Sequence, residues 1–219
     1  MLRTAFLVSD SGENLQAVID AQNMCTISDA MVQLVISNAS DADALETAKK
    51  AGVKTAVICK KDFETAADWE KAMVMELKKN SIALVVLDGF DTILSADFIK
   101  QFPERIINIH PSLVPSFCGK GMYGINVHKA VIARGVKITG ATVHYVDETV
   151  CGGEIIAQKA VEVLRGDTAE KLQKRVKEKA ENAILPRAIQ TVAEDAALSA
   201  AIGCTTCMRR NPAATDAVF

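Results

Sequence analysis

Ile106-Ile107-Asn108-Ile109-His110-Pro111-Ser112-Leu113-Val114-Pro115 is the stretch on which the fold of this 219-residue chain turns. Ile106–Ile109 has the β-branched composition of a buried strand. Pro111 cannot donate to a ladder and biases His110 to extended backbone, so the strand stops there. Asn108 and His110 are two residues apart, which on a strand puts both side chains on one face. An amide and an imidazole converging at a strand's carboxyl end could hold an oxyanion and manage its protons. They could equally be a polar pair that caps a strand end, and spacing alone leaves both readings open.

Upstream, Thr4–Val8, Val32–Ile36, Thr55–Ile58 and Leu84–Leu87 read as further buried strands. Between them Leu15–Ala21, Ala42–Lys50, Trp69–Lys79 and Ala96–Phe102 carry apolar residues at helical spacing. Repeated βα units of this kind predict a Rossmann-like α/β fold: a mostly parallel twisted sheet with helices on both faces. Right-handed crossovers then gather any ligand along the carboxyl edge of the sheet.

Downstream, Pro111, Pro115, Gly119, Gly121 and Gly124 mark a loop-rich passage that leads into a helix at Val127–Ala133. Strands are expected at Ala141–Val146 and Ile155–Val163, flanking an acidic, Gly-rich loop. Asp167-Thr168-Ala169-Glu170 has the capping-box pattern and opens a long helix towards Pro186. The pattern fades near Leu198. One domain is expected over residues 1–197, with a disordered tail over 198–219.

The 25 basic and 27 acidic residues nearly balance, and no basic field or basic amphipathic segment points to nucleic acid or a membrane. Met1 to Ser9 lacks the length and cleavage pattern of a signal peptide, so a soluble cytoplasmic protein is expected. Of six cysteines, Cys25, Cys59, Cys118 and Cys151 are too widely spaced for a disulfide scaffold. Cys204 and Cys207 form a Cys-x-x-Cys with no second ligand pair, so no metal is expected.

Asn-x-His-Pro-Ser-Leu-x-Pro followed by a Gly-rich loop resembles the core signature of the folate-dependent formyltransferases. The resemblance runs in order from Ser9-Asp10-Ser11-Gly12-Glu13-Asn14-Leu15-Gln16 through Gly135–Val146, Gly152-Gly153 and Arg165–Thr168 to Glu181–Pro186, roughly residues 3 to 193. The chain's length favours the glycinamide ribonucleotide branch over relatives that carry additional domains. The resemblance implies transfer of a formyl group from 10-formyltetrahydrofolate, the cosubstrate, to the amine of glycinamide ribonucleotide in purine synthesis. It implies no metal, and it is compatible with a homodimer or with a place in a larger purine-synthesis polypeptide. It places Asn108 and His110 at the tetrahedral intermediate, with His144 nearby. It assigns Gly12, Glu13 and Asn14 to the substrate phosphate, and Lys177 and Glu181 to the rest of that substrate. It assigns Asp91, Thr92, Ile93, Leu94, Asn108 and the loop Asp147, Glu148, Thr149, Val150, Cys151 to the folate.

Several positions depart from the family's pattern. Cys151 stands where the family carries a catalytic aspartate. A carboxylate there would favour imidazolium at His110, whereas a neutral thiol would not. An ionised Cys151, or Asp147 or Glu148 swung into the gap, could substitute. Asp10 and Glu13 replace a glycine and a serine of the phosphate loop. A carboxylate ~4 Å from phosphate costs about 4 kcal/mol at an effective dielectric of ~20, unless Glu13 merely complements its own helix dipole. Asp91 and Thr92 replace a family Met-Arg pair whose backbone meets the pterin, and Ala66 replaces an arginine that meets the folate's glutamate tail. The interval from Lys177 to Glu181 holds one residue more than the family's helix, which would turn Glu181 by about 100° unless a bulge absorbs it. Two further readings follow: a catalytically silent formyltransferase-like domain kept for dimerisation or partner binding, and a formyltransferase with a changed acceptor.

Overall fold

In a computed structural model that describes residues 1–9 and 12–202, the apolar runs form seven strands. These are β1 (Leu2–Val8), β2 (Ala30–Ser37), β3 (Lys54–Val57), β4 (Leu84–Asp88), β5 (Ile106–His110), β6 (Ile138–Tyr145) and β7 (Ile155–Glu162). Seven helices intervene: α1 (Glu13–Asn23), α2 (Asp43–Lys50), α3 (Ala66–Lys79), α4 (Ala96–Ile99), α5 (Ile125–Arg134), α6 (Ala169–Val176) and α7 (Asn182–Ile202). The strands pair in the order β3-β2-β1-β4-β5-β6-β7. The first five of that order run parallel, and β6 and β7 close the sheet antiparallel.

Two apolar layers cover the sheet. Phe6, Val8, Val86, Ile107 and Ile109 pack on one face beneath α1, α5, α6 and α7. Ala5, Leu7, Val85, Leu87 and Ile106 pack on the other, beneath α3 and α4. Burying each large side chain contributes about 1.5–3 kcal/mol. Trp69 anchors the second layer: its ring is buried and its indole N–H donates to the Ile58 carbonyl at 2.7 Å. No helix among the described residues is long and apolar enough to cross a membrane.

The order reverses at β1, since the chain leaves it towards β2 and returns to β4 on its other side. Such a switch leaves a crevice outside the strand carboxyl ends. Gly12 starts α1 at this point with φ 61°, and a Cβ there would lie 2.4 Å from the Ala44 Cβ, so the entry of α1 requires glycine.

Four local expectations are corrected. The helix expected to run to Phe102 stops at Ile99 and continues as tighter turns, which still pack Phe102 against Phe98 with ring centroids 5.8 Å apart. The cap of α6 is Thr168 rather than Asp167: its hydroxyl accepts from the Lys171 N–H at 3.3 Å. Asp167 instead accepts the Leu164 N–H and both arms of Arg175, at 2.5 and 2.6 Å. The long helix towards Pro186 is interrupted by one π turn over Lys177–Glu181, and α7 then continues through Pro186 to Ile202, so the start of the expected disordered tail, from Leu198, is helical. Asp10, Ser11, Cys204, Cys207 and most of the expected tail lie outside the described residues.

Candidate functional site

A cavity of about 600 Å³ opens at the carboxyl ends of β1, β4 and β5. The strand pairings place its polar side chains. Leu87 pairs with Asn108, and Asn108 with His144, so the amide and the second imidazole share one face of the sheet. His110 follows two residues along on the same face.

These three side chains are held by directional bonds. His144 Nδ1 donates to the Tyr145 carbonyl at 2.7 Å, which leaves Nε2 as an acceptor for the Asn108 side-chain N–H at 3.2 Å. The second N–H of Asn108 is thereby aimed by a fixed partner. His110 Nε2 donates to the Phe117 carbonyl at 3.0 Å, which assigns its proton to Nε2 and makes Nδ1 the basic atom. Burial holds His110 below the ordinary imidazole value, the Phe117 carbonyl opposes that, and His144 adds to it. None of these groups is a carboxylate. His110 is therefore neutral at pH 7.

A second constellation lies on the opposite face of β4. The Asn14 amide, near the start of α1, donates at 2.8 Å to Asp88 Oδ1 and at 2.8 Å to Glu181 Oε2. All three residues are at least 93% buried, so a single amide bridges two nearly dry carboxyl groups. Asn14 Oδ1 has no hydrogen-bond partner among the described residues and remains an acceptor at the cavity wall. The π turn makes this possible. Widening one turn absorbs the additional residue between Lys177 and Glu181, so Glu181 keeps its inward face.

The loops over the cavity differ from the strand ends. Asp91 is exposed, and its Oδ1 accepts from Ser9 at 3.1 Å, Asn38 at 2.8 Å and Thr92 at 3.0 Å, which ties the 90–94 segment to the ends of β1 and β2. Asp147 accepts the Thr149 N–H at 2.8 Å and its charge bears on His144, while Glu148 faces Lys100 at the surface, 3.7 Å away. Neither carboxylate occupies the gap beside His110. Gly153 closes this loop, because a Cβ there would meet the Tyr145 carbonyl at 1.9 Å. The Cys151 thiol is raised to about 11, first by burial and then by the neighbouring Cys118. A thiolate paired with His110 is thus excluded at neutral pH.

Of the residues singled out by sequence, Asn14, Asp91, Thr92, Ile93, Leu94, Asn108, His110, His144, Asp147, Glu148, Thr149, Val150, Cys151, Lys177 and Glu181 all line the cavity. Gly12 is buried beneath the α1 entry and does not line it, and nothing is described for the Glu13 side chain. Ala66 is exposed at the start of α3, away from the cavity. Two residues escaped the sequence reading. Asp88 ends the apolar strand β4 and shows its partners only once α1 and the π turn are in place. His128 is fully buried on α5 at the cavity wall, with neither ring nitrogen hydrogen-bonded among the described residues and a pKa lowered to about 4 by burial. Among the described residues no group of three or more His, Cys, Asp or Glu is arranged to hold a metal ion.

The family model described as formyl transferase matches residues 2–189. The trifunctional purine biosynthetic protein adenosine-3 of Gallus gallus is 43% identical over 195 residues, which are 89% of this chain but 19% of that protein. The chloroplastic phosphoribosylglycinamide formyltransferase of Arabidopsis thaliana is 35% identical over 175 residues, covering 80% of this chain and 60% of that one. The crystal structure of glycinamide ribonucleotide transformylase 1 from Symbiobacterium toebii superposes with a TM-score of 0.83 at 38% identity, over 89% of this chain and 88% of the other. The chain thus spans about a fifth of the length of the trifunctional relatives it matches.

Proposed function

Because this chain belongs to the formyl transferase family, we propose that it moves a formyl group from 10-formyltetrahydrofolate to the amine of glycinamide ribonucleotide, a step of purine synthesis, with a neutral His110 as proton acceptor. The observation that carries this reading is the bonded chain from the Tyr145 carbonyl through His144 to Asn108, beside His110 with its Nδ1 unprotonated.

The second N–H of Asn108 stabilises the oxyanion that develops as the acceptor nitrogen bonds to the formyl carbon. A donor in such a position supplies about 2.7–4 kcal/mol. His110 Nδ1 takes the proton that the nitrogen sheds, and returns it to the folate nitrogen as the old carbon–nitrogen bond breaks. Positioned proton transfer contributes roughly 10²–10⁴-fold. The 90–94 segment and the loop of Asp147, Glu148, Thr149, Val150 and Cys151 receive the folate. Glu181, Lys177 and Asn14 receive the acceptor, with Asp88 as a further carboxyl contact. The amino terminus of α1, which meets the cavity at Asn14, offers its positive dipole end to the acceptor's phosphate, as helix amino termini favour anions.

Replacing the family aspartate by Cys151 removes the carboxylate that would raise the basicity of His110 towards the operating pH, where a proton acceptor works best. Turnover is then expected to be slow but measurable, and Cys151→Asp is expected to raise it by about tenfold or more. Transfer is measured with both substrates for the wild type and for Cys151→Asp. Failure of both proteins to transfer formyl, with folate binding retained by calorimetry, would favour a silent domain kept for dimerisation or partner binding.

A further inference from the structure

We propose that Cys118 and Cys151 form a redox modification site, in which a hydroperoxide converts the two thiols to a disulfide that ties the 117–123 loop to the 147–153 loop across the cavity mouth. The placement stands apart from the formyl-transfer reading. Both cysteines are free and half-buried, and the Cys151 thiol is held between the Gly119 N–H and the Cys118 thiol. Cys118 donates in turn to the Pro115 carbonyl at 3.0 Å. The other described cysteines have no such partner role here: Cys25 is exposed at the end of α1 and Cys59 is buried beside the short turn at Lys60–Asp62. Gly119, Lys120 and Cys151 all line the cavity, so the thiol pair sits at its rim.

The backbone around the pair has the freedom to adjust. Gly119 and Gly121 take φ of 109° and 81°, and Phe117 and Cys151 are already in the left-handed region at 53° and 55°. A disulfide needs the two Cα atoms within roughly 4.4–6.8 Å, and Gly119, next to Cys118, leaves that loop the backbone freedom to adjust towards it.

The chemistry closes without an outside reductant. Cys151 is kept as a thiol at neutral pH by burial, so the Cys118 sulfur attacks the peroxide first. The O–O bond breaks, water or an alcohol leaves, and Cys118 becomes a sulfenic acid. The Cys151 sulfur then bonds to the Cys118 sulfur, the S–O bond breaks, and the departing hydroxide takes the Cys151 proton as water. Two thiols give up two electrons and the hydroperoxide receives them.

The link bears on the site beside it. Phe117 offers its carbonyl to His110 and immediately precedes Cys118. Drawing Cys118 towards Cys151 therefore shifts the bond that assigns the His110 proton, and pins the loop that lies over the cavity.

The test uses the full chain and hydrogen peroxide near stoichiometry, followed by alkylation, digestion and mass spectrometry without reductant. The expected product is a peptide pair joined through Cys118 and Cys151, two hydrogens lighter than the free thiols and separated by dithiothreitol. Cys118→Ser is expected to abolish the linked pair while leaving folate binding of the reduced protein unchanged. Calorimetry on the oxidised wild type should show folate binding weakened about tenfold or more, restored by dithiothreitol. Full alkylation of both thiols after Cys25 has been oxidised would overturn the proposal, as would linkage of Cys118 to any other cysteine. Unchanged folate binding by the cross-linked protein would overturn its closure of the cavity.

Discussion

The strand-borne half of the cavity and its loop-borne half are held in opposite ways. At the strand ends and the helix turns packed on them, Asn108, His110, His144, Asn14 and Glu181 sit in directional bonds of 2.7–3.2 Å and are largely dry. Over them, the loops hold a cysteine pair, a surface-turned Glu148 and an Asp91 spent on Ser9 and Asn38. The strand ends are over-determined by sheet register and two apolar layers, so a change there disturbs the core. The loops are fixed by a few backbone contacts and accept new side chains at small cost to stability. The part that the sheet enforces is an oriented amide and an imidazole. The part left to the loops is the charge around that imidazole.

That contrast breaks most sharply at Asn108. Asn108→Ala should lower kcat for formyl transfer by about 10²–10³ with little change in KM. A loss confined to KM would move the oxyanion contact elsewhere. Next comes Glu181. Glu181→Ala is expected to raise the acceptor KM by roughly 10- to 100-fold, the range for a hydrogen bond to a charged group, whereas deleting Lys179 should leave that KM within about threefold. The deletion converts the π turn to an α turn while both flanking helices keep their places. A large KM rise on deletion would show that the widened turn itself shapes the site.

Smaller effects fall outside the chemistry. Asp167→Asn removes a carboxylate that Arg175 holds well below the usual carboxylate range, and should cost about 2 kcal/mol in denaturant unfolding at pH 7. The sign is fixed. A depressed carboxyl stabilises the fold above its unfolded value of 3.8, and that stabilisation is lost as pH falls through the lower folded value, so the variant should lack this part of the acid limb. His128→Leu should be neutral or stabilising by about 1 kcal/mol at pH 7, because it removes a buried ring with no hydrogen-bond partner among the described residues. Folded His128 resists protonation down to about 4, so wild-type stability falls as pH drops from 6.5 towards that value. The variant should show a shallower fall. Marked destabilisation at pH 7 would instead assign His128 a structural partner.

Sequence periodicity is enough to place β5 and the shared face of Asn108 and His110, because strand alternation is a local property. The parallel arrangement is legible for the same reason, through repeated β-branched runs and short crossovers. The cap of α6 falls one residue later than its pattern suggests because Asp167 and Thr168 are both good caps, and only the Arg175 contact decides between them. The π turn has no signal in the residue types of Lys177-Glu178-Lys179-Ala180-Glu181, but the additional residue in that interval points to a bulge, and the fixed packing of Val176 before it and Leu185 after it requires one. Asp88 and the meeting of Cys118 with Cys151 were beyond reach, since each depends on segments distant in the chain that the sheet brings together.

The pH dependence of kcat for formyl transfer tests the central claim, that a neutral His110 accepts the proton. The claim predicts a rate that is level above neutrality and falls on the acid side, at a pH below the ordinary imidazole value of 6.5. A rate that instead rises as pH drops through that range, and is lost as pH climbs above it, would require an imidazolium at His110 and contradict the account.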